Sequence, residues 1–171
     1  LDVSNIKGSV VDTDNSNIDN TYDKYVIKND FNIRNILSRI SEDCLSGNFE
    51  CITIKAYNYV VNDISLVKER NKGRNPKQSL TIKEADVYDK SVLLASFLEN
   101  AGIKTHIEKS NNKVSVYAKK LNLLKLYNEI IKYLHKKPLA SREVVLKKNG
   151  VWVVNLNTSD NKPITIDISA K

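Results

Sequence analysis

Four side chains in this sequence carry thiol or imidazole chemistry: Cys44, Cys51, His106 and His135. A thiol enzyme needs a thiolate, an imidazole within hydrogen-bond reach and a group that orients the ring. Cys51 falls near the start of an expected helix and His106 on an expected strand, so a Cys–His pair across the fold is conceivable. The alternation of Ile103, Thr105 and Ile107 with His106, however, places that ring on the outer face. His135 stands beside Lys136 and Lys137 at a helix end, the setting of a surface side chain. Six residues separate the two cysteines, without a Cys-x-x-Cys pair, and both histidines lie far off, so zinc-site spacing is missing. A disulfide between Cys44 and Cys51 is feasible if Leu45 to Glu50 form a loop; two inert thiols are the alternative. Asp86 and Asp89 could pass for an acid pair, but three apart at a helix start they read as capping and dipole residues. Trp152, the single Trp, either lines a groove or anchors a core. No metal and no cofactor is expected.

The positioning scaffold has 171 residues, enough for one domain with a real core. A formal charge of +7 suggests nucleic acid until it is mapped. Residues 1–50 hold five basic and nine acidic side chains, and the excess of base beyond them is thinly spread over Lys, with only five Arg in the chain. Specific phosphate and base recognition leans on the Arg fork, so no specific nucleic-acid partner is expected. The longest apolar run, Val92 to Leu98, is interrupted by Ser96 and falls well short of a bilayer span. The sequence contains no Met, which points to a processed piece of a longer protein, tethered by a segment that precedes Leu1.

Residues 1–22 are rich in Asp, Asn and Ser and read as a flexible acidic tether to a single domain over 23–171. A first helix is expected from Asp30 to near Cys44, with Asn29 or Asp30 as its cap and Ile33, Ile36, Leu37 and Ile40 on one face. A second runs from about Cys51 to Leu66, and the basic stretch from Lys68 to Gln78 reads as a loop. The third, from Asp86 to Ala101, is apolar nearly all round, which marks it as buried, and Gly102 ends it. Period-two alternation then predicts a hairpin over residues 103–118. A fourth helix follows over Lys119 to Lys136, with Leu124, Tyr127, Ile131 and Leu134 inward. Strands are expected over Glu143 to Lys148, Val151 to Asn157 and Ile164 to Ile168, with Asn149-Gly150 as the hairpin turn. The fold class is α+β, a buried central helix packed on an antiparallel sheet.

One stretch says more. Ile64-Ser65-Leu66 leads to Pro76-Lys77-Gln78-Ser79-Leu80, then to Ala85-Asp86-Val87-Tyr88-Asp89-Lys90 opening the helix that ends in Ala101-Gly102-Ile103. In order and spacing this resembles the bacterial and archaeal transglutaminase-like superfamily, which has a papain-like fold. The likeness continues more weakly to Gly150-Val151-Trp152 and spans about two thirds of the chain. The resemblance implies a nucleophilic Cys at the first turn of the central helix, but Val87 stands there. It implies a His where this sequence has Asn112 or Lys113, and an Asp near Leu156 or Asn157. All three triad positions are therefore degenerate.

The resemblance implies a non-catalytic domain, a pseudoenzyme rather than an enzyme. Asp86, Asp89 and Trp152 would line a surviving groove that holds a peptide, protein or cell-surface polymer. The alternative is an active cysteine protease or acyltransferase with a rearranged site using Cys51 or Cys44. The tether-like start, the possible disulfide and the sequon at Asn157-Thr158-Ser159 favour an extracytoplasmic or cell-surface setting, with a cytoplasmic one left open.

Overall fold

Asp and Asn side chains decide where the helices begin. The computed structural model describes residues 18–19, 21–68, 75–110, 113–135, 139–140, 143–148, 151–155 and 165–167. Within them, helices α1 (Phe31–Ile40), α2 (Phe49–Asn62), α3 (Pro76–Ile82), α4 (Val87–Asn100) and α5 (Leu123–Leu134) open on Asp30, Asn48, Asn75, Asp86 and Asn122 in turn. Each of these side chains accepts a hydrogen bond from a backbone N–H of the first turn, at 2.8–3.1 Å. The N–H of Ile33 holds the Asp30 carboxyl below its ordinary range, and Lys77, 3.1 Å away, adds to this.

Helix α4 is the centre of the molecule. Every residue from Asp89 to Leu98 is buried, as its all-round apolar character predicts. It packs against α1, α2 and α3 on one side and the sheet on the other, with Phe97 meeting Tyr59 edge-on at 5.8 Å. Its polar residues Ser96 and Asn100 grip the segment before α1. Ser96 Oγ accepts from Ile27 N, and the Asn100 amide donates to Ile27 O and accepts from Asp30 N. Gly102 has φ +89° and turns the chain out of the helix.

Strands β1 (Ile18–Asp19), β4 (Thr105–Ser110), β5 (Lys113–Ala118), β6 (Leu139–Ala140), β7 (Glu143–Lys148), β8 (Val151–Asn155) and β9 (Thr165–Asp167) form one sheet in the order β1-β4-β5-β8-β7-β9-β6. β2 (Ser65–Leu66) and β3 (Glu84–Ala85) make a separate parallel pair. The class is α+β, but the large sheet is mixed rather than antiparallel. β5 runs parallel to β8, and β7 parallel to β9. For β5 and β8 the reason lies in α5. It carries the chain across between β5 and the β7–β8 hairpin, and a crossover of that length allows a parallel return.

Other expectations need correction too. The second helix ends at Asn62, and Ser65–Leu66 of its expected span is strand β2. The stretch expected as a loop over Lys68 to Gln78 already contains the first turn of α3, with Pro76 at its first position. The inward face of α5 is Leu126 and Ile130, flanked by Leu123 and Tyr127, whereas Leu124 is 70% exposed and Ile131 is exposed too. Leu123, Leu126, Tyr127 and Ile130 keep the i, i+3, i+4, i+7 spacing, so the period was legible and the phase was not. Of the expected tether, Ile18–Asp19 pairs with β4 and Thr21–Tyr25 forms a 3-10 helix; residues 1–17 and 20 lie outside the described ones. Asp23 fixes this segment: Oδ1 accepts from Ile107 N and Oδ2 meets His106 Nδ1, each at 2.7 Å. Tyr22 stacks on Tyr88 at 5.3 Å. Among the described residues no helix is long and apolar enough to cross a membrane.

Candidate functional site

Helix α4 would have to present a nucleophile at its first turn, where the macrodipole and free N–H groups favour a thiolate. Val87 occupies that position, half-buried against the core. Around it the polar groups are internal. Asp86 and Asp89 are each 2% exposed, and Asp86 Oδ1 accepts from Asp89 N at 2.8 Å. Lys90 is 0% exposed, and its ammonium donates to Val61 O, 3.4 Å away. That carbonyl belongs to the last turn of α2, so Lys90 completes a helix C-terminus from inside the core. Burial holds its amine below the ordinary value for lysine.

Of the degenerate triad positions, Val87 and the backbone of Lys113 are among the described residues. Lys109 Nζ lies 4.9 Å from the centre of the Tyr88 ring, and Ser110 pairs with Lys113, so the start of β5 lies at the same end of the molecule as the start of α4. The parallel register sets Val114 against Val151 and Ala118 against Asn155. The end of β8 therefore lies level with the far end of β5, about 16 Å from Lys113 at ~3.3 Å per residue. Asn112, Leu156 and Asn157 are outside the described residues. Trp152 pairs with Ser115 through its backbone on β8, and its side chain is outside the described ones.

Cys44 and Cys51 form a disulfide with their Cα atoms 5.7 Å apart. Both cysteines of the chain are consumed, so neither supplies a thiolate in this form and the rearranged thiol site has no nucleophile. His106 lies between two carboxylates, with Asp23 at Nδ1 and Glu108 Oε1 3.3 Å from Nε2, and its ring stacks near Tyr117. It is engaged in holding the 3-10 helix. His135 is exposed at the end of α5, with φ +52°. Among the described residues no three His, Cys, Asp or Glu side chains are grouped to hold a metal.

A concavity among the described residues was not anticipated. A cavity of about 390 Å³ lies between the disulfide loop (Leu45, Ser46, Gly47, Asn48) and the flank of α5 (Lys125, Asn128, Glu129). Its walls are tied together at several points. The Cys44–Cys51 bond closes the loop, and Lys55 pairs with Asp43 at 2.9 Å just before it. The buried Glu50 carboxylate accepts from Asn122 N at 2.9 Å, joining the starts of α2 and α5, and Asn48 Nδ2 reaches Glu129 Oε1 at 3.5 Å. Glu129 Oε2 is buried and has no hydrogen-bond partner among the described residues. In the sequence Ser46-Gly47-Asn48 reads only as a turn. What makes it a wall is α5, whose docking against the start of α2 is a long-range contact. No protein-family model, no curated protein and no solved structure matches the chain.

Proposed function

We propose that the chain is a non-catalytic binding module on a transglutaminase-like, papain-like scaffold, working outside the cytoplasm. It holds a peptide, protein or cell-surface polymer without cleaving or cross-linking it. The observation that carries this reading is the pairing of both cysteines, which removes the thiol from a chain whose first-turn position on α4 is already Val87. A disulfide also suits an oxidising compartment. The module reading is tested by co-sedimentation with insoluble bacterial and archaeal envelope polymer. The chain pellets with the polymer and releases no fragment from it; failure to pellet with any preparation removes the reading.

The scaffold reading has its own test. With both native cysteines bonded, a Val87→Cys variant carries one free thiol, at a helix start where the thiolate is favoured. It alkylates at neutral pH faster than free cysteine, and adding Lys113→His speeds the reaction further because an imidazole then stands at the same end of the fold. If the double variant is no more reactive than an unfolded peptide thiol, the transglutaminase-like correspondence is wrong.

A further inference from the structure

Resting on the binding-module reading, we propose that the cavity between the disulfide loop and α5 is a saccharide subsite that takes one pyranose unit of a surface polymer. Its volume of about 390 Å³ lies in the range of small-molecule sites. The lining mixes the donors and acceptors that a ring of hydroxyls requires. Asn128 and Ser46 are exposed and offer an amide and a hydroxyl, each able to donate and to accept. Glu129 lines the cavity, half-buried, and its Oε2 has no donor among the described residues; a small turn of the side chain toward the cavity lets a sugar hydroxyl supply one. Lys125 and Glu129 cancel in charge, which favours a neutral ligand over a multiply charged one. Leu45, 78% exposed, gives the apolar surface against which the C–H face of a sugar ring packs. At Gly47, φ is +79° and a Cβ would meet nothing within 4 Å, so the backbone there is open to a ligand. The disulfide fixes this wall before a ligand arrives, which lowers the ordering cost of binding.

The test is an amide-resolved NMR titration of the whole chain with methyl glycosides of glucose, galactose, N-acetylglucosamine and N-acetylgalactosamine at millimolar concentration. At least one of them shifts the amides of Leu45–Asn48 and Lys125–Glu129 saturably, and Asn128→Ala and Glu129→Ala each weaken that binding about tenfold. Asn128 is exposed, so its variant keeps the fold. Reduction of the disulfide weakens binding as well. Glycine and diglycine are titrated in parallel; if they shift these amides and no glycoside does, the site takes a zwitterion and the proposal is overturned. It is equally overturned if no probe shifts them, or if both variants bind a glycoside as the parent does. Co-sedimentation with envelope polymer that survives Asn128→Ala and Glu129→Ala would leave the module reading standing and the subsite refuted.

Discussion

Replacing Lys90 with Met raises the stability of the fold at pH 7 by about 1–4 kcal/mol. The side chain is wholly buried at the first turn of α4, and the bond from its ammonium to Val61 O is long at 3.4 Å. Desolvation dominates, so the folded-state pKa lies below the ordinary 10.5. The sign follows from proton binding. Below the folded pKa, Lys90 is charged in both states and the whole cost of burying it is present. Between the folded pKa and 10.5 the unfolded chain holds the extra proton, so the stability of the parent rises with pH. The advantage of Lys90→Met is therefore largest at low and neutral pH and shrinks toward pH 10.5. Urea unfolding of parent and variant across pH 6–11, compared as a difference, isolates this residue from the other lysines. A variant less stable than the parent at pH 7 would mean that closing the end of α2 outweighs desolvation.

Removing the disulfide with Cys44→Ala and Cys51→Ala costs about 2–3 kcal/mol, which is about 5–10 °C in melting temperature for a chain of this length. The bond closes a short loop, with a sequence separation of seven, so the gain from restricting the unfolded chain is modest. Cys51 is also buried in the first turn of α2, and truncation there leaves a small void. The loss is local at first. Asn48 caps α2 from within the closed loop, so its hydrogen bond to Cys51 N loosens together with the cavity wall. Thermal melts with and without reductant check this; a parent whose melting temperature is indifferent to reductant would contradict it.

Much of the fold was legible because the signals were local. The cap at Asp30, the stripe of Ile33, Ile36, Leu37 and Ile40, the apolar circumference of α4 and the stop at Gly102 each depend on neighbours within one or two turns. Three of the five described α-helices begin on an Asn, a cap that is read from the sequence within one turn. What stayed hidden was non-local. Nothing near β5 states that its far neighbour is β8 running the same way. The phase of α5 depends on which side meets α2, and Leu124 resembles Leu126 until that partner is known. Asp23 carries no sign that it will meet Ile107 and His106, more than eighty residues later. The cavity fell into the same gap, because a turn and a polar helix flank become a site only when long-range packing brings them together.

The short N-terminal strand also bears on how the molecule behaves in company. A sheet edge offers unpaired N–H and C=O groups to any extended chain that arrives, and a long bare edge invites stacking of one copy on another. Here both outermost strands of the large sheet, β1 and β6, are two residues long. Where β1 stops, the Asp23 carboxylate occupies the next donor on β4, the N–H of Ile107, and puts a negative charge on that border. The segment that reads as a leash in the sequence thus acts as a guard rail, denying the six residues of β4 to foreign strands when many copies crowd together.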